Sequence, residues 1–95
     1  MDKREAYQKK IEAQLKEWKA EINRMKAKAD KANANVQVEY YKQIEDLQSK
    51  QKAAQERLKK LKEASEGAWE DLKSGVDLAW ESLRQALKSA KSRFK

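Results

Sequence analysis

Apolar residues recur along this chain at two helical periods, and the change from one to the other divides it. From Ile11 the apolar positions step by alternating fours and threes through Leu15, Trp18, Ile22, Met25, Ala29, Ala32 and Val36. Spacing that averages about 3.5 residues is a heptad seam, and it predicts a helix packed along one face in the manner of a left-handed coiled coil. Two successive steps of four, Val36 to Tyr40 to Ile44, interrupt the alternation as a stutter, which relaxes a supercoil without ending the helix. The seam resumes through Leu47, Gln51, Ala54, Leu58, Leu61, Ser65 and Ala68.

The last third changes to a period of eleven residues: Trp69, Leu72, Val76 and Ala79 return as Trp80, Leu83, Leu87 and Ala90, and Glu70 returns as Glu81. Eleven residues are three turns at about 3.67 residues per turn, so each copy falls nearly over the last and the repeat writes one apolar stripe. Trp69, Leu72, Val76, Trp80, Leu83, Leu87 and Phe94 form its large members and the candidate interaction face. Ala68, Gly75, Ala79 and Ala86 flank it on one side, and Lys73, Arg84 and Lys91 on the other. The stripe reads as helix-to-helix core or as a lipid-facing surface. Basic borders, an acidic polar side (Glu70, Asp71, Asp77, Glu81) and tryptophans suit the second.

Polar positions support helix throughout. Glu5 with Lys9, Glu12 with Lys16, Asp46 with Lys50 and Glu56 with Lys60 each place an acid four residues before a base, a solvated-face arrangement. Two places favour a bend. In Asp30-Lys31-Ala32-Asn33-Ala34-Asn35 the Asx residues prefer caps to helix interior, and in Ala64-Ser65-Glu66-Gly67 a serine N-cap candidate precedes a glycine. The organisation expected is a coiled-coil helix over 1–64 with a bend at 30–36, then a hinge and an amphipathic helix over 65–95. Three stretches of near-equal length also permit a chain that folds back as a three-helix bundle.

Composition fixes the class. The chain has 95 residues, no proline, two glycines and 41% charged residues. Without helix breakers, and with a mean hydropathy of −1.17, it is expected to be all-α: long amphipathic helices in a coiled coil or helical bundle, formed through self-association because so small a chain has little core of its own. Strict placement of the hydrophobes and mixing of both charge signs argue against disorder. With no Cys and no His there is no thiol nucleophile, imidazole base or Cys/His zinc site. No catalytic, cofactor-binding or metal site, no cofactor and no small-molecule substrate are expected. The opening Met1-Asp2-Lys3-Arg4-Glu5 leads into charged sequence and no run approaches a membrane span, so a cytoplasmic location is expected.

Net charge of +7 raises the question of anionic partners. From Arg84 onward the charged residues are Arg84, Lys88, Lys91, Arg93 and Lys95, all basic, whereas 66–81 holds five acids and one lysine. Acids early and bases late complement a helix dipole. The same bases are candidate contacts to an anionic membrane surface. Nucleic acid is expected only as non-specific attraction, because bases and acids interleave and no reader motif is present.

The runs Ala6-Tyr7-Gln8-Lys9-Lys10, Glu39-Tyr40-Tyr41-Lys42-Gln43-Ile44 and Gly67-Ala68-Trp69-Glu70-Asp71-Leu72-Lys73-Ser74-Gly75-Val76, with the second Ala79-Trp80, resemble small bacterial coiled-coil proteins of the stress-response type. The resemblance implies an association with stress, without catalytic residues to carry over. In period, the tail is also similar to the eleven-residue repeats of exchangeable apolipoproteins and of desiccation-protective proteins. The function expected is a non-enzymatic, self-associating helical interaction protein. The alternative is a peripheral membrane-surface protein that binds through its C-terminal helix, and chaperone-like shielding of apolar client segments is a third expectation.

Overall fold

A computed structural model describes residues 2–94. The chain forms three helices, α1 (Lys3–Asp30), α2 (Ala34–Lys62) and α3 (Glu66–Arg93). They pack as an up-down-up bundle measuring 51 × 21 × 18 Å. A helix of this length spans about 42 Å, so each runs nearly the whole long axis.

Helix starts follow the polar residues that precede them. The Asp2 carboxylate accepts a hydrogen bond from the Glu5 amide at 2.8 Å, satisfying one of the free N–H groups of the first turn of α1. Asn33 and Ser65 take the extended N-cap conformation before α2 and α3, and their main-chain carbonyls receive the first helical amides. Neither side chain closes the cap, so both later helices start without that stabilisation.

The chain does not run as one helix to residue 64. It reverses at Lys31-Ala32-Asn33 and again at Glu63-Ala64-Ser65. No residue among those described has positive φ; each reversal passes from an αR residue at the helix end (Lys31, Glu63) to an extended N-cap (Asn33, Ser65) and needs no glycine. The first is fastened by Gln37, whose side-chain amide donates to the Ala29 carbonyl at 3.0 Å, and by the Tyr41 hydroxyl, which donates to Asp30. The physical reason for folding back is the seam itself. A straight helix would leave Ile11 through Ala29 and Tyr40 through Leu61 in water, whereas the reversal buries each row against the other. Val36, which the periodicity counts as a seam residue, stands in the first turn of α2 and is 42% exposed. The seam of α2 begins at Tyr40 instead.

The core is one cluster running the length of the bundle. Ile22, Leu47, Leu61, Val76 and Leu83 are its largest fully enclosed members. Gln51, the one buried polar residue among those described, donates from Nε2 to the Leu15 carbonyl at 3.2 Å, which fixes the register of α1 against α2. Gly75 lies mid-helix in α3, where a Cβ would meet only the Arg57 guanidinium at an ordinary 3.5 Å. Gly75→Ala is therefore expected to stabilise the bundle by about 1 kcal/mol, read as a rise of about 4–8 °C in thermal midpoint.

Candidate functional site

The stripe of α3 faces inward. Trp69, Val76, Leu83, Leu87 and Ala90 are buried, and Leu72, Trp80 and Phe94 are half-buried against the same cluster. Its large side chains meet the other two helices through three aromatic contacts. Tyr7 presents its edge to Trp69 at 5.6 Å between ring centroids, and Trp18 lies on Trp80 at 5.3 Å. Tyr40 stacks on Phe94 at 4.0 Å, and its hydroxyl donates to the Phe94 carbonyl at 3.1 Å.

The first two contacts explain why α3 keeps an eleven-residue period. α1 and α3 run parallel, and Tyr7 and Trp18 are separated by the same interval as Trp69 and Trp80. Equal intervals on parallel helices place both pairs at matching heights. Tyr7 is the contact residue that periodicity missed. The signal that could have found it is this shared interval, which acquires meaning only once the two helices are known to run the same way. The α1 and α3 backbones approach each other least closely of the three pairs, and these rings fill the space between them. Filling it has a cost, because the indole N–H groups of Trp69 and Trp80 are buried with no acceptor among the described residues.

Around the Tyr7 rung the polar groups are tied together. The Tyr7 hydroxyl donates to Asp77, Lys73 pairs with Asp77 at 3.2 Å, and the Lys73 ammonium also lies 4.9 Å from the centre of the Tyr7 ring. Burial, and then the hydrogen bond to Asp77, push the Tyr7 phenol above its ordinary value of 10.0. A phenol whose folded value is raised contributes stability that is fully present below its unfolded value and is lost as pH climbs through the folded one. Wild-type stability against urea is thus expected to fall between about pH 9 and about pH 11, and Tyr7→Phe to lose less over that interval. Comparing the two urea midpoints isolates the contribution of Tyr7.

The basic tail is largely neutralised by its own chain. Arg84 donates to Glu81 from Nε at 3.0 Å and from Nη2 at 2.6 Å, and this pairing, helped by Gln85, holds the Glu81 carboxyl down at about 2. Lys91 pairs with Glu21 at 2.7 Å, and Arg93 with Glu39 at 3.2 Å. Lys88 is exposed. Lys95 lies outside the described residues. Among the described residues, then, Arg84, Lys91 and Arg93 are paired within the chain, and two of those pairs join the end of α3 to α1 and α2.

Elsewhere the surface carries shallow grooves. The one between α1 and α2, on the side away from α3, has a volume of about 380 Å³. Its floor is Leu15 and Leu58, and Lys16, Lys19, Lys59 and Lys62 stand along its edges. Among the described residues no cluster of His, Cys, Asp and Glu could hold a metal ion, and no helix is long and apolar enough to cross a membrane. No family model, curated protein or solved structure matches the chain.

Proposed function

We propose that this chain is a non-enzymatic interaction module that acts as a closed three-helix bundle and engages its partner through surface charge, with its apolar stripe spent internally. One observation carries the reading: the seams of α1 and α2 and the stripe of α3 form a single cluster, so the surface that the sequence offers to a partner helix is already covered by the chain itself. The side-chain inventory supports it, since a chain without Cys or His has neither a thiol nor an imidazole to place in a groove. The stress association implied by the sequence resemblance suits such a module.

Assembly between copies would have to use what is left outside. Val36, Val38 and Tyr41 at the start of α2 are 42%, 58% and 37% exposed, and Leu78 on α3 is 68% exposed. Leu78 lies well along the bundle from the other three, so they do not make a single apolar patch of the kind that drives stable association.

Membrane-surface binding by α3 is the second reading, and the two unpartnered indole N–H groups favour it. A lipid interface would give those donors water or headgroup acceptors and would still cover the stripe. Release of α3 must, however, break the pairs from Lys91 to Glu21 and from Arg93 to Glu39 together with the whole α3 share of the core. Hydrogen exchange separates the readings. The closed module is expected to protect α3 amides as well as those of α1 and α2, with or without anionic vesicles. Selective exchange in α3, or its change of protection on vesicles, would overturn the closed-bundle reading in favour of the second.

A further inference from the structure

Along the sequence, lysines and acids alternate too closely to suggest a cationic site, yet folding sorts them by face. Lys16, Lys19 and Lys26 of α1 and Lys52, Lys59 and Lys62 of α2 are all exposed, and four of the six edge the groove between the two helices. Lys26 follows Lys19 by one heptad and Lys52 precedes Lys59 by one, so the remaining two continue the same rows. Asn23, Gln48 and Gln55 on the same face are neutral. Glu12 closes the face at one end and Asp30 and Glu45 at the other, and Glu56, four residues after Lys52 and three before Lys59, borders the α2 row. Of the six lysines only Lys62 has an acid partner, Glu12, among the described residues.

Because α1 and α2 are antiparallel, with Glu12 level with Lys62, the two rows interleave along the axis. The six ammonium groups then span about 21 Å, one for about every 4 Å of length, from the rise of 1.5 Å per residue. A strand of nucleic acid in a duplex carries one phosphate per about 3.4 Å, a comparable linear density. The face lacks what other anionic partners use. Leu15 and Leu58 are only 3% and 5% exposed, so the groove has no open pocket for the buried anchor residue on which protein interfaces depend. It also carries no exposed large apolar residue to enter a bilayer: Leu78 is on α3, and Val36, Val38 and Tyr41 lie beyond its Asp30 end.

We propose that the α1/α2 lysine face binds the phosphodiester backbone of a single-stranded nucleic acid without reading its bases. The inference rests on the closed-bundle reading and names the partner class for it. Lysine rows on both edges of a groove contact alternate sides of one extended strand, and no aromatic ring stands among them to stack on bases, so affinity comes from released counterions.

The test is fluorescence anisotropy of the full chain with a labelled single-stranded oligonucleotide of about 20 nucleotides at several salt concentrations, in two base sequences. Expected is binding indifferent to sequence that weakens with salt. Replacing Lys16, Lys19 and Lys59 together by Gln should weaken it about tenfold or more at low salt and flatten the slope of log K against log salt by about 2, at about 0.7 for each phosphate no longer neutralised. Lys10→Gln, Lys42→Gln and Lys88→Gln combined remove the same charge from scattered exposed positions and should cost less than about threefold. Absence of binding at low salt, or equal weakening in the two triple variants, would overturn the proposal. So would lysine-dependent binding to phosphatidylserine vesicles with none to the oligonucleotide, which would assign the face to a bilayer. Hydrogen exchange on the complex keeps the two failures apart. Opening of α3 on binding sinks the closed-bundle reading. A protected α3, with the face variant binding like wild type, sinks only the nucleic-acid assignment.

Discussion

Leu83→Ala is expected to take about 2–5 kcal/mol from the stability of the bundle. Leu83 is fully enclosed at 0% exposure in the middle of α3, where its isobutyl group belongs to the one cluster shared by the three helices. Truncating such a residue removes its transfer free energy and leaves a cavity, together costing about 2–5 kcal/mol. Small domains hold only about 5–15 kcal/mol in total, so the loss takes a large part of it. Leu78, on the same helix, provides the contrast, because it is 68% exposed and its truncation should change stability by no more than about 0.5 kcal/mol. Urea unfolding followed by circular dichroism measures both. Equal effects at Leu78 and Leu83 would mean that α3 presents a different face to the bundle.

Trp18→Ala is expected to cost about 3–5 kcal/mol, and part of that loss should be shared with Trp80. The two indoles lie 5.3 Å apart and tilted by 36°, so a double-mutant cycle between them should return a coupling of about 0.5–1.5 kcal/mol. The same cycle between Trp18 and Trp69 should be additive within about 0.5 kcal/mol, because Trp69 stands three turns, about 16 Å, farther down the bundle. Coupling to Trp69 instead would place α3 one repeat out of register along α1, an error that an eleven-residue repeat invites. Cycles run at two protein concentrations also show whether the partner indole belongs to the same chain.

Much of this fold is legible in the spacing of apolar residues. The α1 row from Ile11 to Ala29 is buried at every step, and the α3 stripe supplies the inner face of its helix. The width of that stripe has a physical reason: α3 faces two neighbours, so Trp80 on one side and Leu72, Ala79 and Ala86 on the other are half-covered around the buried line of Val76, Leu83 and Leu87. The reversals are harder to read. Turns are recognised by proline or by residues with positive φ, and both reversals here do without either. What turns the chain is the gain from covering two seams at once, a tertiary effect that no local window contains. The same holds for charge. Lys16 and Glu17 are neighbours in sequence and point to different sides of α1, so the lysine-rich face emerges only when helix geometry and the antiparallel pairing of α2 are imposed.

The basic tail shows the opposite outcome. From the sequence, Arg84, Lys88, Lys91 and Arg93 read as one uncompensated cationic segment. The acids that compensate it, Glu21 and Glu39, lie on other helices and far away along the chain, and Glu81 lies just before the run on α3 itself. A contact to an anionic surface through this tail would compete with those pairs, whereas the α1/α2 lysines have almost no internal acids to lose. This difference in prior engagement is why the lysine face is assigned as the binding surface and the tail as a fastening.

Small-angle scattering on a monodisperse chromatographic peak tests the central claim most directly, namely that one chain covers its own apolar seams. The expected particle has the mass of a single chain, 11.1 kDa, with a radius of gyration near the Cα value of 15.3 Å and a longest dimension a little above the 51 Å of the bundle. A multiple of that mass, or the profile of a rod about 90 Å long in which α1 and α2 run on as one helix, would contradict it.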